Sequence, residues 1–351
     1  MVAYPELTEA RNDLAFQAEL YRPSAFWAES SEQIVKELES EGVERFRALP
    51  KALGFFVPTY GSPGNSFSQK IADHLKTLFK SEYGDLKKPN LALEQFLSGD
   101  TQALADYRVL LAADDQSKRP YLHRFSESRV GEPIEHFNFD GRHFSRSSLN
   151  YLLGLALLKK HLEPHESLRT ILEIGGGFGT LGEILASSGV SDQRYIDIDI
   201  PPTSFVAEYY LRGVLGTKNV IGYSETKDKA AIEIEELPQA SVLCSWQIEK
   251  LQGSVDLFVN FISFQEMEPH IVENYLNQVT RLGARWVLLR NMREGKQVQK
   301  AHAVGVKTPI KTDDYLAMLP KYRLVEKNIF PFGYKTVDGF HSELLLLKRA
   351  A

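Results

Sequence analysis

The chain has 351 residues, 43% hydrophobic and 25% charged, with a formal net charge of −5 and a pI near 6.0. That is the make-up of an ordinary globular protein long enough for two domains, and its charge gives no electrostatic case for nucleic acid or an anionic membrane as partner. The single cysteine, Cys244, excludes an intrachain disulfide and a thiolate zinc cluster. With no basic-then-apolar leader and no apolar run of spanning length, a cytoplasmic protein is expected.

From the N-terminus to about Gly54 the chain is polar with helical period, in amphipathic patches such as Ile34, Leu38, Val43 and Phe46. Phe55 to Phe67 is turn chemistry, and helical spacing returns at Ile71, Leu75, Leu78 and Phe79 and again from Leu91 to Leu111. The pattern predicts a helical N-terminal domain with a loop-rich connector over residues 1–140. Such a domain would cap a cleft, make a subunit contact such as a homodimer's, or only buttress the fold. Asp114 to Arg146 reads as irregular, and long irregular segments are often functional loops. It carries His123, Arg124, His136, Arg142, His143 and Arg146, with Arg142 and His143 the candidate substrate contacts.

Ser147 to Lys160 predicts a helix with Leu149, Leu152, Leu153, Leu157 and Leu158 inward, in a second domain over residues 141–351. Ile171 to Gly182, Ile-Leu-Glu-Ile-Gly-Gly-Gly-Phe-Gly-Thr-Leu-Gly, then reads as strand, tight loop and helix. Two registers compete. Glu173-x-Gly175-x-Gly177-x-Gly179 is similar to the acid and alternating glycines of S-adenosylmethionine-dependent methyltransferases. Gly177-x-Gly179-x-x-Gly182 satisfies the dinucleotide fingerprint but starts too late for a strand-end turn. An acid beside the turn suits an ammonium group and not a pyrophosphate.

Arg194 to Ile200 alternates and stops at Pro201-Pro202 as strand two. Asp199 at its end suits a ribose, since a carboxylate accepts from both hydroxyls; Asp197 is the fallback. Ser241 to Trp246 predicts strand three, with Cys244 a buried thiol. Trp246 is either a stacking platform for adenine, with Gln247 on the base edge, or a core aromatic. Val255 to Phe261 predicts a buried strand four whose end, from Asn260, opens into the cleft. A helix begun by Pro269, strand five at Arg285 to Arg290, and a helix begun at Thr312-Asp313-Asp314 follow. Two strands, Tyr322 to Phe330 and Ser342 to Leu347, close the chain. The expected fold is therefore α/β, a Rossmann-like class I methyltransferase sheet of seven strands with the last antiparallel, preceded by the helical domain.

Glu173-Ile-Gly-Gly-Gly-Phe-Gly, Asp199-Ile-Pro and Asn260-x-x-Ser263-Phe264-Gln265-Glu266-Met267 together resemble the putative sugar O-methyltransferase family of class I methyltransferases. Tyr21-Arg-Pro-Ser-x-Phe-Trp27 and Ser126-Glu-Ser-Arg-Val-Gly-Glu-Pro133 extend the resemblance over nearly the whole chain. The resemblance implies S-adenosylmethionine as cofactor and in-line methyl transfer to a hydroxyl of a sugar or sugar-containing small molecule. Cofactor contacts are then expected from Glu173, Gly175, Gly177, Gly179, Asp199, Trp246, Gln247 and Asn260. An alcohol acceptor needs a general base near the end of strand four. Glu266 and His270 are nearest in sequence; His143 and His302 are alternatives brought in by loops. No metal is expected, because a helix start already accounts for the pair Asp313-Asp314. Other readings are an N- or O-methyltransferase of natural-product biosynthesis, an NAD-dependent oxidoreductase, and a non-catalytic scaffold.

Overall fold

The computed structural model describes residues 2–62, 68–163, 165–298, 305–336 and 338–350. His302, an alternative base, lies outside them. The first third is helical: α1 (Pro5–Leu14), α2 (Ala25–Glu41), α3 (Pro50–Phe55), α4 (Gln69–Tyr83), α5 (Lys87–Ser98) and α6 (Asp100–Ala113). Ser24 caps α2 by accepting from Trp27 N at 3.4 Å, and Pro50 opens α3, where a missing N–H costs nothing.

The stretch expected to be irregular contains a hairpin, β1 (Phe137–Phe139) and β2 (Arg142–Phe144). Its turn is Asp140-Gly141 at φ 51° and 74°, the left-handed pair that tight hairpins need. Three-residue strands are too short to show alternation. The next helix, α7 (Arg146–Lys159), opens with a reciprocal cap: Ser148 N donates to Ser145 Oγ, and Ser145 N to Ser148 Oγ. It is buried on all sides, wedged between α6 and the sheet.

The remaining elements are β3 (Thr170–Ile174), α8 (Thr180–Ala186), β4 (Arg194–Asp199), α9 (Thr203–Leu215), β5 (Val220–Ile221), α10 (Tyr223–Thr226), β6 (Ile232–Glu233), β7 (Ala240–Cys244), β8 (Leu251–Gln252), β9 (Leu257–Phe261), α11 (Pro269–Arg281), β10 (Trp286–Met292), α12 (Thr312–Met318), β11 (Tyr322–Asn328), β12 (Tyr334–Lys335) and β13 (His341–Arg349). The main sheet runs β11-β13-β10-β9-β3-β4-β7-β5, with β12 on β13. Strands from β10 to β5 are parallel, and β13 is antiparallel to both β10 and β11. This is the order, with its single antiparallel strand near the edge, of the class I methyltransferase sheet. Seven strands were expected; β5 and β12, two residues each, bring it to nine.

Phe46, Phe56 and Tyr107 of the helical third share one apolar core with Phe144, Leu152, Leu181 and Phe261. Arg47, fully buried, ties the helical third to the connector before the hairpin through Glu127 at 2.7 Å and Glu135 at 2.5 Å. Among the described residues, no helix is long and apolar enough to cross a membrane.

Candidate active site

The turn after β3 begins at Gly175, directly after the strand's last residue, as the acid-and-glycine register requires. Gly175, Gly177 and Gly179 have φ of 71°, 64° and 92°, conformations that side chains resist. Gly176 is constrained by space instead. A Cβ there would lie 2.6 Å from Asp197 Oδ1, 2.8 Å from Glu173 Oε2 and 2.8 Å from the Tyr195 hydroxyl. The loop thus sits directly on two buried acids.

Their chemistry follows from that burial. Glu173 Oε2 accepts from the Tyr195 hydroxyl at 2.6 Å, and Asp197 Oδ1 from Gly176 N at 3.2 Å. Glu173 Oε1 and Asp197 Oδ2 are buried without hydrogen-bond partners. Asp199 Oδ2 accepts from Gly177 N at 3.2 Å and Oδ1 from Ile200 N at 2.7 Å. Burial pushes the Glu173 and Asp199 carboxyls up to about 7. Asp197 is raised as well, by burial and then by its two acidic neighbours. Three adjacent acids cannot all ionise cheaply in a low dielectric, and a cationic group brought near them removes that cost.

Above the turn lies a cleft of about 1220 Å³, counting its open mouth, at the carboxyl ends of β3, β4 and β9. Doubly wound sheets place ligands in such a crevice. Its walls include Gly175, Gly176, Gly177, Asp199 and Ser263, and helical-third residues Tyr21, Arg22, Trp27, Phe55 and Phe56 close it from above. Tyr151 stacks on Phe261 in the wall with ring centroids 4.9 Å apart. Ile262, also in the wall, has φ 73°, backbone strain for a β-branched residue, and its N–H donates to Arg290 O at 2.6 Å.

Of the expected site residues, Gly175, Gly177, Asp199 and Glu266 meet in this cleft. Glu173 lies beneath the turn, and Gly179 caps α8. Glu266 Oε2 accepts from Trp27 Nε1 at 3.0 Å, and its Oε1 pairs with Lys296 Nζ at 2.5 Å. Asn260 is fully buried below the wall; its Nδ2 donates to Ile174 O at 2.9 Å and Ser263 Oγ at 2.6 Å, stitching β9 to β3.

Five residues are placed elsewhere. His270, on the first turn of α11, is exposed and away from the cleft, because Pro269 starts the helix with that position outward. Trp246 packs edge-on against Tyr223 in the core, the second of its two readings. Gln247 is fully buried, its Oε1 accepting from Cys244 N and its Nε2 donating to Thr226 Oγ1. The strand ends at Cys244, earlier than expected, and residues 245–250 turn into a short 3₁₀ helix. Arg142 is spent on His123 O and the Tyr107 hydroxyl, and His143 stacks on His136, so neither lines the cleft.

Sequence reasoning missed the cap residues as site residues, apart from the resemblance at Tyr21–Trp27. No local pattern marks Phe55, Phe56, Asn150 or Tyr151 as cleft walls. Among the described residues, no cluster of three His, Cys, Asp or Glu has metal-binding geometry.

No family model matches the chain, and no curated protein matches it. Among solved structures it is similar to magnesium protoporphyrin IX methyltransferase from Synechocystis PCC 6803 with bound S-adenosylmethionine, at 12% identity over 58% of this chain and 79% of that one, TM-score 0.39. It is similar to the mitomycin 7-O-methyltransferase MmcR at 12% identity over 93% of this chain and 100% of that one, TM-score 0.39. A third is an S-adenosylmethionine-dependent methyltransferase from Clostridium acetobutylicum ATCC 824, at 12% identity over 57% and 91%, TM-score 0.38. At TM-scores below 0.5 these likenesses add no weight to a functional reading; the fold class follows from the strand order.

Proposed function

We propose that the protein is an S-adenosylmethionine-dependent O-methyltransferase acting on a hydroxyl of a small molecule. The observation that carries this is the turn itself: left-handed glycines starting at the strand end, over buried acids, with Asp199 in the cleft wall. Asp199 would hold ribose hydroxyls, the glycine turn would admit the cofactor against bare backbone, and the acids would favour its cationic groups. The cofactor supplies an activated methyl group when bound. Residues 141–351 form the cofactor-binding unit in this reading, and residues 1–140 cap it and shape the acceptor space.

Glu266 is the proposed proton acceptor for the hydroxyl. It faces the cleft, and Trp27 and Lys296 fix its orientation. A sugar acceptor is supported by the resemblance around Ser263–Met267, and the aromatic cap suits stacking on a sugar face. The test is transfer of labelled methyl from S-adenosylmethionine to a panel of sugars, phenols and amines, with Glu266→Gln alongside. Label on a sugar hydroxyl, lost in the variant, is expected. Label on amines alone contradicts O-methylation, and label on phenols alone contradicts the sugar acceptor.

A further inference from the structure

Behind the far wall of the cleft lies a cationic cluster that the proposed chemistry does not use. Arg290, on β10, is fully buried. Its NH2 donates to Phe332 O at 2.7 Å and Asn150 O at 3.3 Å, while Nε and NH1 have no hydrogen-bond partner. Arg146, at the start of α7, donates to Thr59 O at 2.7 Å and the Tyr334 hydroxyl at 2.6 Å, and its Nε is also buried without a partner. The carboxylate that acts on both guanidiniums is Asp106, which already accepts from the Tyr60 hydroxyl at 2.6 Å. The fully buried Arg290 and the half-buried Arg146 face one carboxylate, and an uncompensated buried charge is costly.

The cluster adjoins the cleft on several sides. Ser147, Asn150 and Phe261 line the cleft and are neighbours in sequence or contact of the two arginines, and Pro58 lines it beside Thr59, which accepts from Arg146. The Arg290 guanidinium lies 5.3 Å from the centre of the Phe261 ring. Asn150 Oδ1 is likewise buried without a partner, although the residue lines the cleft.

We propose that Arg146 and Arg290 form an oxyanion-binding subsite behind the cleft wall of Ser147, Asn150 and Phe261, taking a carboxylate or phosphate group. Guanidinium N–H groups match the paired oxygens of such anions, and burial strengthens the bonds. Burial drives the Arg290 guanidinium down, and against the effect of its own burial the Tyr334 hydroxyl is held below its ordinary value by Arg146 and Arg290, as beside a surplus of positive charge. The cleft is then bipolar, with acids under the cofactor end and arginines behind the acceptor end. The acceptor end is so assigned by the methyltransferase reading; the anion subsite does not rest on it.

The test is thermal unfolding of the ligand-free full chain in formate or inorganic phosphate, with ionic strength held constant by sodium chloride, whose anion is not an oxyanion. The expected rise in Tm is at least about 2 °C at saturating anion. Arg290→Gln should abolish it. Because that variant removes a buried group, Arg146→Lys, which keeps the charge and loses the fork, is read by ¹³C-formate NMR and should weaken binding at least about tenfold. Glucuronate competing with formate where glucose does not assigns the anion to the acceptor, and formate bound without such competition assigns a free ion; both support the subsite. A Tm independent of both anions, or an equal anion response in the variants, overturns it. S-adenosylhomocysteine binding, measured separately, reports on the methyltransferase reading alone.

Discussion

Gly176→Ala tests the packing under the glycine turn. Gly176 is not in the left-handed region, so alanine meets no backbone strain there and the effect isolates contact. The new methyl would lie 2.6 to 2.8 Å from Asp197 Oδ1, Glu173 Oε2 and the Tyr195 hydroxyl. Ordinary C···O contact is about 3.3 Å, so each must yield by about half an ångström. None has room, because Glu173 and Asp197 are fully buried and Tyr195 is 2% exposed. Overpacking of this kind costs about 1–3 kcal/mol, and displacing the Gly176 N bond to Asp197 adds about 1 kcal/mol. Urea unfolding at pH 7 should therefore show a loss of about 2–4 kcal/mol with unchanged m. Tyr195→Phe, which removes one of the three contacts, should cost less in the alanine background than in wild type. A Gly176→Ala protein within about 0.5 kcal/mol of wild type would refute the packing described for the turn.

Glu266→Gln should lower methyl transfer by about 10²- to 10⁴-fold with S-adenosylhomocysteine affinity little changed, whereas His270→Ala should leave both unaltered; steady-state kinetics and calorimetry separate them. Arg47→Met strands Glu127 and Glu135 in the core and should cost about 3–5 kcal/mol in urea unfolding; a loss under about 1 kcal/mol contradicts the role given to the pair. The raised carboxyls of Glu173 and Asp199 bind protons in the native state that the unfolded chain has released. Their contribution is therefore fully favourable below the ordinary carboxylate range and declines as pH rises to about 7. Urea unfolding of the ligand-free protein from pH 5 to 8 should show that decline, and Glu173→Gln should flatten it.

Strand two and the glycine turn were legible because their chemistry is local: an apolar run, an acid, and glycines forced by φ or by space. The succession of strands and helices followed from the chain order of such units, whereas the order of strands across the sheet is seen in the structure. Trp246 and Gln247 show the limit. Both continue an apolar run, and only the cap that Gln247 itself provides at Cys244 ends the strand before them. His270 was near Glu266 in sequence, but helical geometry turned it outward. The Arg47 ties to Glu127 and Glu135 cross 80 and 88 residues, and the Arg146–Arg290 cluster joins α7 to β10; no periodicity within one segment encodes such meetings.

The most direct test is calorimetric titration of the purified chain with S-adenosylhomocysteine and, in parallel, NAD, for wild type and Asp199→Ala. The account predicts micromolar binding of S-adenosylhomocysteine, weakened at least about tenfold by the substitution, and no binding of NAD. Binding of NAD, or of neither ligand, would contradict it.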